Sequence, residues 1–294
     1  MSRFFEFLEK LNGESTAAKL NAGEGSEALR ILPVLHPLQN GDHLQNGDHP
    51  QPAEQVFQLR HVEVDEVQVN PETRLVFHTE PGSPAADRFR FMRMRLRALK
   101  ALGKLKSLLI TSALPQDGKS TIALNLATAM AEGGKHSVLL IEGDLYHPSL
   151  SQVLGLPARS GLAECLDSGA DPVSLLRRLE PLHWYLLPAG KPQGNPTELL
   201  HSDALPRVLQ RLAPYFDWIL IDSPPVAPLT DALLISQHVD AALVVVRADS
   251  TPREAVEEAL KLLGPKKVLG IVFNGAEGLN QKYSKYYGYY GKKR

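Results

Sequence analysis

A single cysteine, Cys165, occurs in 294 residues. It has no partner within the chain, so a fold stapled by internal disulfides is excluded and a reducing compartment fits. A lone thiol of this kind is expected to be a buried apolar group. Net charge is equally scarce, because 32 Lys and Arg stand against 33 Asp and Glu, leaving a formal −1 and a pI of about 6.8. No global field draws the chain to nucleic acid or to an acidic membrane, and any such attraction has to be local. No run approaches the roughly 18 apolar residues that span a bilayer, and the N-terminus lacks the order of a secretory signal. The expectation is a cytoplasmic protein held at the inner face of the membrane, if at all, by a partner.

What is present is globular in type. Hydrophobic residues make up 43% and charged residues 22%, and the length allows one large or two small domains with a sizeable core. The first seventy or so residues differ from the rest. Leu38 to His43 (LQNGDH) repeats at once as Leu44 to His49, and Asn-Gly pairs with Pro50 and Pro52 favour turns over a packed core. Residues 13–54 therefore read as mostly disordered. Their histidines are too few and too widely spaced for a metal tract and read as solvated. Ahead of them Phe4, Phe5, Phe7, Leu8 and Leu11 form a short amphipathic pattern that either docks on a partner or packs back on its own domain. The alternation of Val62, Val64, Val67 and Val69 suggests strand-like pieces over 56–70. The chain is thus divided into an extension over 1–73, a folded domain over 74–280 and a tail over 281–294.

From Ser107 onward apolar runs of β type alternate with helical patterns. The runs are SLLIT at 107–111, SVLLI at 137–141, WYLLP at 184–188, WILID at 218–222, AALVVV at 241–246 and VLGIVF at 268–273. Continuous apolar strands separated by helices predict an α/β fold with a doubly wound, mostly parallel sheet covered on both faces. Such sheets bind ligands beyond the carboxyl ends of their strands, so the chemistry is expected just after these runs.

Directly after the first run comes Ala113-Leu114-Pro115-Gln116-Asp117-Gly118-Lys119-Ser120-Thr121, a phosphate-loop pattern with Ala in place of its first Gly. With a strand before it and the helical TIALNLATAMAE after it, backbone N–H groups and a helix N-terminus can cradle phosphate oxygens. Lys119 can reach the β and γ oxygens of ATP, and Ser120 can ligate Mg²⁺. The second run ends in Glu142-Gly143-Asp144. In extended backbone residues i and i+2 face the same way, so both carboxylates are expected at one phosphate–metal site. The fourth run ends in Asp222-Ser223-Pro224-Pro225, where Asp222 can hold Mg²⁺ directly or through its water shell. Candidate catalytic residues are Lys119, Glu142, Asp144 and Asp222, and candidate metal ligands are Ser120, Glu142 and Asp222. Asn274, at the exit of the last run, is either a turn residue or, by similarity to related nucleotide-binding folds, a donor and acceptor for an adenine edge.

With these motifs in order, about residues 74–294 resemble the bacterial tyrosine kinases of capsule and exopolysaccharide synthesis, in the form where the kinase is a separate cytoplasmic chain. The resemblance rests on the GKST loop, EGDLYHP at 142–148, NPTELL at 195–200, DSPP at 222–225, TDALL at 230–234 and a tyrosine-rich terminus. Related partitioning and septum-positioning ATPases carry a signature lysine near the start of the loop, where this chain has Leu114. Two departures from the family are visible. Its Asp-x-Asp-x-Arg motif is replaced by Glu142, Asp144 and Tyr146, and the extra methylene of Glu142 leads to the expectation of slowed transfer that Glu142→Asp would relieve, the alternative being a site built around Glu, where the same change slows transfer. Arg247 is a candidate to replace the missing arginine. Asp87, Arg90 and Arg93 match the family's Glu-x-x-Arg-x-x-Arg with Asp for Glu, at a spacing that lines them along one helical face. The resemblance implies that they contribute to a homo-oligomeric ring, the alternative being a basic solvated helix.

The terminus QKYSKYYGYYGKKR holds Tyr283, Tyr286, Tyr287, Tyr289 and Tyr290, five of the chain's eight tyrosines, among five cations and no acid. It reads as a phosphoacceptor tail. The alternative is a nucleic-acid-binding tail, since aromatics interleaved with cations stack on bases, but no nucleic-acid partner is expected. The resemblance implies an ATP- and Mg²⁺-dependent autokinase regulating polysaccharide polymerisation or export, activated by the cytoplasmic segment of a membrane-embedded chain-length regulator. A nucleotide-dependent scaffold with weakened catalysis and a positioning-type ATPase are the rival readings.

Overall fold

A computed structural model describes residue 59 and residues 61–102, 105–227 and 230–276. The low-complexity linker, the N-terminal amphipathic pattern and the tyrosine tail lie outside the described residues. Among the described residues eight strands form one sheet in the order β1-β4-β5-β3-β6-β2-β7-β8. They are β1 (Glu63–Glu66), β2 (Ser107–Ser112), β3 (Val138–Glu142), β4 (Arg177–Glu180), β5 (Trp184–Leu187), β6 (Trp218–Asp222), β7 (Ala241–Arg247) and β8 (Val268–Asn274). Neighbours are parallel except β4 and β5. The six apolar runs expected from sequence are β2, β3, β5, β6, β7 and β8.

Period-2 alternation sorts the strand residues to the two faces. Leu108, Ile110, Leu140 and Leu220 join one core. It is covered by α1 (Val76–Thr79), α2 (Pro84–Leu102) and α3 (Lys119–Ala131). α4 (Leu150–Val153) adds Leu150 to that same core, whereas Leu109, Leu139, Ile141, Ile219 and Ile221 join the other, beneath α5 (Leu162–Ser168), α6 (Pro196–His201), α7 (Ala204–Leu212) and α8 (Asp231–Gln237). A third cluster packs β7 and β8 against α9 (Arg253–Leu263). Burial on both faces explains why these strands read as unbroken apolar runs. Cys165 lies buried in the second core, and burial pushes its thiol up to about 12, leaving it inert as expected.

The folded unit extends upstream of the boundary at residue 74. β1 pairs with β4, and buried Arg177 of β4 grips Asp65 through Nε at 2.7 Å and Nη2 at 2.6 Å while also meeting Glu63. A two-pronged guanidinium–carboxylate contact holds an otherwise polar strand on the edge of the sheet. Further along, buried Asn125 of α3 accepts the Val76 N–H at 2.9 Å and donates to the carbonyls of Arg74 and Thr121, both at 2.9 Å. This one amide ties the segment before α2 to the helix that follows the phosphate loop. The sheet order places the ends of β3, β6 and β2 side by side, with Glu142 opposite Asp222 and Asp222 opposite Ile110. Among the described residues no helix is long and apolar enough to cross a membrane.

Candidate active site

The phosphate loop is shaped from within. Asp117 is 3% exposed; its Oδ2 accepts the Leu114 N–H at 3.0 Å and its Oδ1 accepts the Thr251 hydroxyl at 2.6 Å. Ser112 donates to the Leu114 carbonyl at 2.7 Å, and Asn274 Nδ2 donates to the Asp117 carbonyl at 2.9 Å. Gln116 and Gly118 adopt left-handed backbone, with φ of 65° and 95°, a conformation of the kind that curls amides around an anion. Glycine is required at 118, because a Cβ there would collide with the Asn274 side-chain amide. Ala113, in the place of the usual first glycine, is fully buried and packs in the core beneath α9. The substitution is absorbed by packing and leaves the loop's curl intact.

Lys119 and Ser120 open α3, and across from them lie two carboxylates. Lys119 Nζ is 3.4 Å from Asp144 Oδ2, while Asp144 Oδ1 accepts the His147 N–H at 3.0 Å. Asp222 is 1% exposed and its Oδ1 has no hydrogen-bond partner. Burial pushes its carboxyl up to about 7; Lys119 and a Ser120 hydrogen bond pull it down, and Asp144 and Glu142 add repulsion. A buried orphan oxygen beside a hydroxyl and a phosphate loop fits a hard cation that takes one or two protein oxygens and completes its shell with phosphate and water. Among the described residues no cluster of three or more metal-ligating side chains builds a cage by itself, which is the usual situation for Mg²⁺.

Glu142 departs from expectation. The strand ends at Glu142, so the alternation that would align it with Asp144 stops there. Its Oε1 accepts the N–H groups of Leu150 at 2.6 Å and Ser151 at 3.3 Å, and its Oε2 accepts the Ser151 hydroxyl at 2.8 Å and the Ala189 N–H at 3.2 Å. These four donors use the four lone-pair directions of a carboxylate, leaving none for a metal. Glu142 is a buried staple joining β3 to the start of α4 and to the chain after β5. Its extra methylene serves that reach, so shortening it to Asp would strip donors of their partner instead of freeing a misplaced catalytic group.

Arg247 does not replace the missing arginine. It ends β7 opposite Asn274, three strands away from β3 in the sheet. Asn274 spends its amide N–H on the loop and keeps its carbonyl oxygen. Beside it opens a cavity of about 250 Å³ whose walls include Thr121, Asn125, Phe89 and Phe273. Pro115 completes the loop between β2 and α3. Asp87, Arg90 and Arg93 do share one side of α2, but each has a partner in its own chain. Arg90 pairs with Asp87 at 2.7 Å, donates to the Pro81 carbonyl at 2.9 Å and lies over Phe77. Arg93 donates to the Ala129 carbonyl at 3.1 Å and faces Glu132 at 3.6 Å, bracing α2 against the C-terminal end of α3. Sequence reasoning quoted TDALL as family resemblance and gave Asp231 no role. The structure buries it completely, with Oδ1 accepting the Thr197 hydroxyl at 2.7 Å and Oδ2 unpartnered.

No protein-family model matches the sequence. Relatives do. The chain is 32% identical over 219 residues to the tyrosine-protein kinase YwqD of Bacillus subtilis, across 73% of this chain and 90% of that one. It is 33% identical over 195 residues to the tyrosine-protein kinase CpsD of Streptococcus pneumoniae, across 65% and 86%. The chain belongs to the bacterial tyrosine kinases of capsule and exopolysaccharide synthesis. Among solved structures, the chimerical protein CapA2B2 superposes on this kinase with a TM-score of 0.64 at 29% identity, covering 76% of this chain and 97% of that one. The shared fold is the parallel α/β sheet around the phosphate loop.

Proposed function

We propose that this kinase transfers the γ-phosphoryl group of ATP to the tyrosines of its own C-terminal tail and that the transfer controls polymerisation or export of a capsular or extracellular polysaccharide. The observation that carries this reading is the pair Lys119–Asp144 at 3.4 Å, set at the mouth of the phosphate loop beside the orphan oxygen of Asp222. In this reading the loop amides of 113–118 and Lys119 would bind and orient the triphosphate, Thr121 and the Asn274 carbonyl would meet the nucleoside, and Asp144 would accept the acceptor hydroxyl's proton. Ser120 and Asp222 would hold Mg²⁺, whose contribution when bound is to neutralise charge on the β and γ oxygens. Glu142 holds the surrounding loops.

The described chain ends at Ala276, on the wall of the cavity beside Asn274. The remaining 18 residues, 277–294, span at most about 60 Å when extended, which suffices to reach either their own site or that of a neighbouring subunit. Five phosphates would take the tail's side-chain charge from +5 to roughly −2.5 to −5, a reversal suited to a switch. The same reading includes a homo-oligomer, a cytoplasmic location and recruitment by the cytoplasmic segment of a membrane-embedded chain-length regulator. Incubation with γ-labelled ATP and Mg²⁺, with and without that segment, tests it. Tyrosine-bound label is the expected product; free phosphate alone would make the protein an ATPase, and binding without turnover would make it a scaffold.

A further inference from the structure

The loop after β3 carries Tyr146 two residues beyond Asp144, and the ring is 39% exposed. Its hydroxyl nevertheless has fixed partners. It donates to Asn195 Oδ1 at 2.9 Å and lies 3.2 Å from Thr197 Oγ1. Thr197 places its own hydroxyl proton on Asp231 Oδ1 at 2.7 Å, so toward Tyr146 it can only accept. Asn195 Oδ1 also takes the Thr197 N–H at 3.0 Å, capping α6. Tyr146 spends its one proton on Asn195 Oδ1, so Thr197 Oγ1 at 3.2 Å takes at most a share of that same proton, while Thr197 gives its own to Asp231. Three separate strand-end segments meet in this set of contacts: 144–147 beyond β3, 195–197 beyond β5, and Asp231 beyond β6.

We propose that Tyr146 is a positioning residue for phosphoryl transfer, anchoring through Asn195, Thr197 and Asp231 the short loop that sets Asp144 against Lys119. The inference rests on the kinase reading for its catalytic consequence and on the hydrogen bonds alone for the anchoring. A neutral hydroxyl does here what a cationic side chain at 146 would do by charge. Asp231, at the far side of Thr197, keeps a buried and unpartnered Oδ2. Burial holds the Asp231 carboxyl above its usual range, the Thr197 hydrogen bond pulls it down, and the negative charge of Asp144 adds to the rise. A cation at 146 would lower that repulsion, whereas Tyr146 fixes the loop without neutralising it.

Tyr146→Phe keeps the ring and removes the donor. It is expected to lower kcat for tail labelling about tenfold, within the range set by a sub-ångström to 1 Å displacement of a reacting group, while KM for ATP stays within about twofold because the phosphate loop and Asn274 are untouched. Thr197→Val should match it, and the double variant should be no slower than the slower single change, the signature of one coupled unit. Tyr146→Arg should recover most of the rate. Hydrogen exchange supplies a readout that needs no turnover: the His147 amide, bonded to Asp144, should exchange faster in Tyr146→Phe and regain protection in Tyr146→Arg. Unchanged exchange in Tyr146→Phe would overturn the anchoring. Unchanged kcat with faster exchange would overturn the catalytic role, as would an Arg variant as slow as Phe. Absence of tyrosine labelling in the parent chain, with the exchange pattern as expected, would leave the anchor standing and remove the kinase reading beneath it.

Discussion

Lys119→Met is expected to abolish tyrosine labelling, a drop of at least about 1,000-fold, in a protein that remains folded. The size follows from what is lost: a fixed cation aimed at the oxygens on which charge gathers during transfer is worth about 10²–10³ even for a single neutral donor elsewhere, and this one is fully charged. Survival of the fold follows from its surroundings. The Lys119 side chain is 15% exposed and its ammonium lies 3.4 Å from Asp144, which keeps the His147 N–H as a partner after the substitution. Met preserves the apolar stem, so the cost in stability should be about 1–2 kcal/mol. Phosphotyrosine immunoblotting beside a urea titration reads both quantities. Labelling at the parent rate would remove Lys119 from the mechanism.

Asp222→Asn should separate stability from activity in opposite directions. The folded carboxyl sits at about 7 against 3.8 for the free group because burial disfavours its charge. Between those values the folded state binds more protons than the unfolded one, so the metal- and nucleotide-free protein loses stability as pH rises from about 4 to 7 and changes little with Asp222 above that. The difference amounts to at most about 4 kcal/mol. The neutral amide removes that slope. Asp222→Asn is therefore expected to be more stable than the parent at pH 7.5 in chelator, by roughly 2–4 kcal/mol, with equal stability near pH 4, and to have lost phosphoryl transfer. Denaturant titrations across that range check the first statement. A variant less stable than its parent at pH 7.5 would show that the charge on Asp222 is not a source of strain in the empty site.

These opposed effects belong to a residue whose place was readable from sequence, as was most of the central sheet. Apolar runs of five to six residues mark β2, β3, β5, β6, β7 and β8 because both faces of those strands are buried, and the phosphate loop stands out because a strand and a helix flank it. β1 lies within the strand-like stretch read over 56–70, whereas β4 was hidden for the opposite reason. RRLE and EVDE form strands through Arg177 gripping Asp65, a contact between positions 112 residues apart that no local periodicity shows. The same limit explains Glu142. Its acidity and its place at a strand end suggested a metal ligand, and only the fold shows that Leu150, Ser151 and Ala189 occupy it. Asp87, Arg90 and Arg93 were correctly placed along one helix, while their partners at Pro81, Ala129 and Glu132 could be found only once α2 and α3 were packed together.

The central claim is that the loop holding Lys119 serves the tail holding Tyr283, Tyr286, Tyr287, Tyr289 and Tyr290. Its most direct test is to replace these five tyrosines by phenylalanine and compare the label incorporated from γ-labelled ATP with that of the unaltered chain, mapping the residual by peptide mass. Nearly all tyrosine label should disappear while nucleotide binding stays unchanged. Tyrosine label retained at the parent level on the rest of the chain would contradict the account.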